Sequence, residues 1–524
     1  MTGELISPTE TRNTAGAAAC AAAICISLLS GCNVGPKYAA PAPPTAPAFK
    51  ESSPAVYSGA PPGAWQPAQP QDSALKGKWW EMFNESELNT LEDQLNIDNE
   101  NIAQYFQNFM AARAQVREAR AGYFPTVTVN PALSRTGAGA ASARAQTALG
   151  TKPAASSASA STDATKFALP IDVSWEPDLW GRIRNTVGEY QYAAQVSAAD
   201  LENERLTEQA ALAEYYLELR GQDALQDLYN RTIEADRQLL DLTRALVETG
   251  IDSPEAAAQA EVTLKDAEAA AIGIATNRAL YEHAIATLIG KPASSFSMPV
   301  KSLTTEVPAI PVGLPSQLLQ RRPDIAAAER TMAQANATIG VEKAAYYPTV
   351  SLSGGAGLQS SSIASLFSLP ALFWSLGASA SQTVFDAGLR KAAVAQYTAA
   401  YNADVAAYKQ TVLTAFQQVE DYIATLRVLS QQIVRQNEAV QAAQRYVDIA
   451  TARYQTGLDP YLDVIVAQNI LLSDQQTLMT LRVSEVTAAV QLIQALGGGW
   501  NVTEIPSASQ VTSKNPPLQG AHTP

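Results

Sequence analysis

The sequence predicts a mainly α-helical protein with a small membrane-embedded β portion, built from two structural repeats. Three observations carry this. Four short landmarks recur in the same order at a near-constant offset. Two long segments run without proline and place apolar residues at spacings of 3 and 4. Two pairs of short alternating segments have Thr, Ser and Gln, rather than Lys and Glu, as their polar partners. The composition agrees. Charged residues make up 16% of the 524 residues and hydrophobic residues 47%, whereas an ordinary globular chain carries about 25% charge. Low charge with abundant alanine suits helices in close sideways contact. A net charge of -14 argues against a nucleic-acid partner. Three Cys and two His cannot build a zinc cluster or a disulfide scaffold.

Residues 1–31 read as a lipoprotein signal peptide. Ala15–Leu29 is apolar or small and too short for a bilayer core of about 30 Å. Such a run, closed by small residues, is a secretion signal. Leu29-Ser30-Gly31-Cys32 resembles a bacterial lipobox, which makes Cys32 the acylated first residue of the mature chain. Cys20 and Cys25 leave with the signal, so no disulfide remains possible. Several acyl chains anchor firmly where one alone is marginal. Asn33, not Asp, follows Cys32; in lipoprotein sorting this resemblance implies the outer membrane. Residues 32–75 are then the lipid anchor and a Pro/Ala-rich, extended strap.

The body is duplicated. Ala121-Gly122-Tyr123-Phe124-Pro125-Thr126-Val127 recurs as Ala344-Ala345-Tyr346-Tyr347-Pro348-Thr349-Val350. Asp178-Leu179-Trp180-Gly181-Arg182 recurs as Asp386-Ala387-Gly388-Leu389-Arg390. Thr249-Gly250-Ile251-Asp252 recurs as Thr456-Gly457-Leu458-Asp459. Leu288-Ile289-Gly290 recurs as Ala495-Leu496-Gly497. The offsets are 223, 208, 207 and 207; four ordered matches are a repeat, not chance. The first repeat spans 76–300, a linker 301–315, the second repeat 316–500, and a flexible tail 501–524.

Each repeat opens with a helix, Ser86–Ala121 and Pro323–Ala345. A proline-broken apolar patch follows: Thr126–Val129 in the first and Thr349–Ser353 in the second. After a loop comes a second patch, Phe167–Trp175 and Ser375–Phe385. These read as strand pairs near 123–177 and 347–385 with period two. Alternation with small polar residues fits a transmembrane β wall; a soluble hairpin is the competing reading. Four strands cannot close a barrel, so the membrane reading requires several copies. The connecting loops Ser134–Lys166 and Gly354–Leu369 are rich in small residues and read as exposed.

A very long helix follows each strand pair. No proline lies between Pro177 and Pro254 or between Pro370 and Pro460, and neither Gly nor Pro lies between Gly388 and Gly457. Roughly 65 helical residues reach about 100 Å. In the second repeat Tyr401, Val405, Tyr408, Val412, Ala415, Val419, Tyr422, Leu426 and Leu429 form one stripe. That is the 3.5 period of coiled-coil packing. Gly250 and Gly457 end the long helices, and Pro254 and Pro460 open the return helices. The results are hairpins over 182–290 and 388–497, with their turns far from the strands.

Several stretches together resemble one family. They are Cys32-Asn-Val-Gly-Pro-Lys-Tyr, Trp79-Trp-Glu-Met-Phe, Arg321-Arg-Pro-Asp-Ile, Tyr346-Tyr-Pro-Thr-Val, Phe385-Asp-Ala-Gly-Leu-Arg, Tyr454-Gln-Thr-Gly-Leu-Asp and Ala495-Leu-Gly-Gly-Gly-Trp. The chain, over about 32–500, resembles the TolC/OprM-like outer-membrane efflux ducts in their lipoprotein (NodT-type) branch. The resemblance implies a homotrimer. Each subunit gives four strands to one 12-stranded outer-membrane β-barrel, continued by a long periplasmic α-helical barrel. It also implies a periplasmic adaptor (membrane fusion) protein and an inner-membrane RND-type pump as partners. The expected role is a passive exit duct for drugs or other small molecules. No cofactor is expected beyond the covalent lipid on Cys32. Type I protein secretion, metal efflux and a non-pore coiled-coil scaffold are the alternatives; the scaffold leaves the paired strands unexplained.

No catalytic constellation is visible. His283 sits in a helical stretch, His522 in the tail, and the Ser-rich loops offer no base. The candidate site is the far turn. The resemblance places Leu462 at an apolar constriction and Asp463 in an acidic ring, and implies a periplasmic gate. The family's next acidic position is Val466 here, which is not acidic. Arg453 and Tyr454 precede the turn glycine and stand ready to tie the hairpins. Asp252 and Glu255 occupy the first-repeat turn. Capping of the next helix accounts equally well for Asp252 and Asp459. At the strand–helix junctions, Asp178 and Asp386 each lie four residues before an arginine, Arg182 and Arg390. Helix capping and i,i+4 pairing are expected there, with Trp180 as an interfacial aromatic.

Overall fold

The computed structural model describes residues 33–44, 48–51, 77–136, 164–310 and 315–513. Cys32, the signal segment and most of the first Ser/Ala-rich loop lie outside the described residues. The helices are α1 (Ser86–Asp98), α2 (Glu100–Ala121), α3 (Arg182–Glu248), α4 (Pro254–Leu288), α5 (Pro323–Ala344), α6 (Leu389–Gln455), α7 (Tyr461–Ala495) and α8 (Ala508–Thr512). The strands are β1 (Thr126–Val129), β2 (Ala132–Thr136), β3 (Ala164–Trp175), β4 (Thr349–Ser360) and β5 (Leu372–Ser381). Both long helices have 67 residues, about 100 Å at 1.5 Å per residue. Among the described residues no helix is long and apolar enough to cross a membrane.

The chain divides into two compact units. One holds residues up to 39, 114–191 and 333–402; the other holds 40–113, 192–332 and 403–524. The first unit contains the sheet. Its strands are antiparallel in the order β1-β3-β4-β5, with β2 also on β3. β1 and β2 are one strand interrupted at Asn130-Pro131. The register is the same on both sides of the break: Val129 faces Ile171 and Ala132 faces Ala168. Pro131 and Pro170 have no N–H to give the ladder there.

Several expected boundaries shift. The opening helix of the first repeat is broken at Asn99, whose side-chain oxygen accepts from the Ile102 N–H at 2.9 Å. β4 extends through residues 354–360, which read as loop. Glycine weakens a strand in general, but Gly357 lies under Pro170, where a Cβ would collide with the β3 backbone. β5 runs over Leu372–Ser381 and stops short of Phe385.

The same unit holds the start of the strap. The Asn33 side-chain oxygen accepts from Asn185 Nδ2 at 2.9 Å and from the Gly35 N–H at 3.0 Å. Asn336 Nδ2 donates to the Pro36 carbonyl at 3.0 Å.

The second unit contains the cores. Trp79, Phe83, Leu88 and Leu95 pack with Leu212, Tyr216, Ile289, Ile423 and Ile493. A separate cluster joins Leu239 and Leu240 of α3, Ala256, Ala260 and Leu264 of α4, Ala450 and Tyr454 of α6, and Tyr461, Val464 and Ala467 of α7. Residues 48–51 of the strap also dock here. Phe49 is buried, and the Glu420 carboxylate accepts from the Lys50 and Glu51 N–H groups at 2.6 and 2.9 Å.

The linker and part of the tail are held in this unit. Lys301 and Thr305 of the linker donate to the buried Glu85 carboxylate at 2.6 and 2.8 Å. In the tail, Arg113 donates to the Val511 and Ser513 carbonyls, and Gln195 donates to the Pro506 carbonyl. The flexible-tail expectation therefore fails up to Ser513. Composition says nothing about a buried arginine waiting for carbonyls from far along the chain.

Glu92 of α1 is fully buried, and neither carboxylate oxygen has a hydrogen-bond partner. Burial first, and the neighbouring Asp93 second, raise its pKa well above the ordinary range. A carboxyl raised in the fold contributes stability below its unfolded pKa and loses it as pH rises through the folded value. Glu92→Gln should therefore raise the thermal midpoint at pH 8 by the equivalent of about 1–3 kcal/mol. It should change little at pH 4. Thermal melts of both proteins at the two pH values check this.

Candidate functional site

The register sorts the sheet into two chemically distinct faces. Cross-strand partners share a face and successive residues alternate. One face carries Val127 and Val129 of β1, Leu169, Ile171 and Val173 of β3, Leu352, Ala356 and Leu358 of β4, and Leu372, Trp374 and Leu376 of β5. The other carries Thr126, Thr128, Ser174, Ser351, Ser353, Ser375, Ser379 and Asp172. Trp374 and Leu376 are 78% and 84% exposed. In water such a face is unfavourable; against lipid tails it is required. The opposite face hydrogen-bonds to itself, with Ser351 Oγ and Ser379 Oγ 2.7 Å apart. The sheet has unpaired edges at β1/β2 and at β5 among the described residues.

The strand–helix junctions are built from charge. Asp178 accepts from the Ile183 and Arg184 N–H groups at 3.0 and 2.9 Å, so it caps α3 as expected. Its ion-pair partner differs from the expectation. Arg184 Nε lies 3.0 Å from Asp178, while Arg182 pairs with Glu176 at 2.8 and 3.1 Å. The reason is local: Glu176 takes Arg182, and Asp178 lies four residues before α3, where Asp386 lies three before α6. Asp386 does pair with Arg390, at 2.5 Å, and accepts from the Gly388 N–H at 3.0 Å. Trp180 is half-buried. It donates to the Pro348 carbonyl at 2.7 Å and stacks on Tyr347 at 4.9 Å. It thus ties the first repeat to the second.

The hairpin turns share one construction. Gly250 and Gly457 have φ of 75° and 72°, the left-handed conformation that closes a helix. Ile251 N–H reaches back to the Leu246 carbonyl and Leu458 N–H to the Arg453 carbonyl, both at 2.9 Å. The two aspartates do not cap. Ser253 Oγ caps α4 by accepting from the Ala256 N–H at 3.3 Å, and Pro460 precedes α7 with no side-chain cap. This leaves both carboxylates for other work. Asp459 takes Arg453 in a two-point pair at 2.5 and 2.8 Å. That pair holds the Asp459 carboxyl below its ordinary range. Arg453 therefore ties its own turn, not the neighbouring hairpin.

Tyr454 does bridge the hairpins. Its hydroxyl donates to Asp252 Oδ2 at 2.7 Å, with Thr243 Oγ1 3.0 Å away. Burial, reinforced by Asp252, pushes the Tyr454 hydroxyl up to about 12. Its ring lies 5.4 Å from that of Tyr461. Leu462 is 55% and Val466 43% exposed, one turn apart on α7. Asp463 is half-buried in the first turn of α7, and Glu255 is exposed in the first turn of α4. Sequence reasoning missed Thr243, Ser253 and Tyr461; only the S-P start of α4 offered a signal, for Ser253.

Comparison with known proteins agrees with this geometry. The family described as outer membrane efflux protein matches residues 91–291 and again 314–498. The antibiotic efflux pump outer membrane protein ArpC of Pseudomonas putida is 31% identical over 478 residues, 90% of this chain and 94% of its own. The cation efflux system protein CusC of Escherichia coli is 27% identical over 490 residues, 91% of this chain and 98% of its own. The solved structure of the outer-membrane channel OprN superposes with a TM-score of 0.79 at 26% identity, covering 90% of this chain and 100% of that one. The chain belongs to the outer membrane efflux protein family.

Proposed function

We propose that this outer-membrane efflux channel is the passive exit duct of a tripartite pump. Drugs or other small molecules arrive from an inner-membrane RND-type pump through a periplasmic adaptor and leave through a trimer of this chain. The two-faced sheet with unpaired edges carries the reading. Unpaired backbone groups in hydrocarbon cost several kcal/mol each, so the edges must be paired. Three copies closing one 12-stranded barrel pair them all and leave a polar lumen. The names of relatives favour small-molecule cargo: ArpC is an antibiotic and TtgC a toluene efflux protein. The lipid belongs on Cys32. It would meet the membrane beside Asn33, which is fixed to the sheet-bearing unit.

The turns serve as the periplasmic gate, with Tyr454–Asp252 as its latch, Leu462 as the apolar constriction and three copies of Asp463 as a cation-attracting ring. The test is planar-bilayer recording of the detergent-purified protein, with its subunit number measured by native mass spectrometry. A monomer without conductance would overturn the duct. Tyr454→Phe removes the hydroxyl that holds Asp252 and should raise single-channel conductance severalfold. Asp463→Ala should weaken block by divalent cations; unchanged block would remove Asp463 from the ring.

A further inference from the structure

The α3 helix of the same hairpins carries a carboxyl that none of these roles uses. Asp236 of α3 is 3% exposed, and its Oδ2 has no hydrogen-bond partner. One turn along α3 from it, Leu239 and Leu240 enter the apolar cluster that also holds Ala260, Leu264, Val464, Tyr454 and Tyr461.

The charged and titratable groups around it are few. From α7 the facing group is Tyr461, which is 3% exposed. The charge of Asp236 is felt at Tyr461 and, after burial itself, holds that hydroxyl above its ordinary range. The Tyr461 ring lies 5.4 Å from that of Tyr454 on α6, which is bonded in turn to Asp252 of the first-repeat turn. α4 contributes only alanine and leucine to this cluster. The nearby guanidiniums are committed elsewhere. Arg237 reaches Glu234 and Glu268, Arg244 reaches Glu261, and Arg453 holds Asp459.

A buried carboxylate without a cation or a donor is costly and is relieved by protonation or by exposure. We propose that Asp236 is a proton-controlled positioning residue for the gate. Neutral, it lets Tyr461 and Tyr454 stay packed and the Tyr454–Asp252 bond stay closed. Ionised, it loosens that packing and releases the latch. The proposal rests on reading Tyr454–Asp252 as the closing contact.

Its direction follows from linkage. Burial pushes the Asp236 carboxyl up to about 6. The packed seam is fully favoured below the ordinary carboxylate range and loses that advantage as pH rises through about 6. The released-to-packed ratio should rise by up to about a hundredfold per subunit, the equivalent of roughly two pH units.

The experiment is single-channel recording of the full-length protein between pH 5 and pH 8. In the wild type, the open-to-closed ratio should rise about tenfold per subunit across this range, mostly below pH 6, and level off above it. Asp236→Asn should stay at its acid-side level throughout. Asp236→Glu should restore a pH-dependent rise. A wild-type profile without this rise, or one that survives in Asp236→Asn, overturns the proposal; the wild-type arm needs no variant to fold.

Tyr454→Phe at pH 5 separates the two readings. If it opens the channel while Asp236→Asn keeps the wild-type profile, only the role of Asp236 fails. If it leaves the channel unchanged, the latch and the proposal built on it both fail.

Discussion

Leu376→Arg should nearly abolish outer-membrane assembly, whereas Ser379→Lys, three residues along the same strand, should assemble and alter ion selectivity. The difference is which face each residue occupies. Leu376 is opposite Gly354 and continues the apolar row of Leu372 and Trp374; Ser379 is opposite Ser351 and belongs to the polar row. A cation near the bilayer midplane on the lipid face of a barrel costs about 2–4 kcal/mol per copy. A trimer pays it three times. On the lumen face the ammonium stays in water, and its cost is the lost contact between Ser351 Oγ and Ser379 Oγ. Membrane fractionation and heat-modifiable gel mobility should show Leu376→Arg as unassembled chain. Ser379→Lys should run as wild type, and bilayer recording should show reduced cation preference. Equal assembly of both variants would mean the apolar face does not meet lipid.

That face shows how far the sequence could be read. The order of elements, the duplicated plan and the long hairpins are local properties, carried by periodicity and by Gly and Pro. They are visible in the stripe from Tyr401 to Leu429 and in the glycines at 250 and 457. The alternation of Thr126–Val129 likewise revealed a strand. Segment 354–360 did not, because its glycines read as loop until Pro170 and Asp172 of β3 lie opposite them. The same limit explains the junction. Asp178 has Arg182 at the expected spacing, yet pairs with Arg184, because Glu176 takes Arg182. At the hairpin turns, Tyr454 was legible as a tie, but its partner was not. Asp252 read as a cap until Ser253 was seen to take the cap and Tyr454 to bond to Asp252. Asp236 left no trace at all, since its burial is a property of tertiary packing and not of the local sequence.

Gly497→Ala should be far more damaging than Gly457→Ala, although both replace a glycine with positive φ by the same residue. Gly457 has φ of 72° and open space where a Cβ would project. Alanine there pays only for the left-handed backbone, about 1–2 kcal/mol. Gly497 has φ of 95°, and a Cβ would collide with the Arg321 carbonyl. The chain cannot easily yield at this point. Arg322 donates to the Ala495 carbonyl at 3.1 Å and holds Asp324 at 2.7 and 3.0 Å, and Gly498 N–H bonds back to the Ile493 carbonyl at 3.0 Å. The first repeat is built the same way. A Cβ on Gly290 would meet the Asp98 carbonyl, and Asn99 donates to the Leu288 carbonyl at 2.8 Å. Each repeat thus closes by laying the end of its return helix on the backbone just before α2 or α5, the helix that leads to its strands, where a glycine avoids the collision. Backbone strain and a backbone collision together should cost Gly497→Ala roughly 4 kcal/mol or more. Thermal melts of the detergent-purified variants measure the gap. If the two midpoints fall together, the contact with Arg321 is not what fixes this glycine.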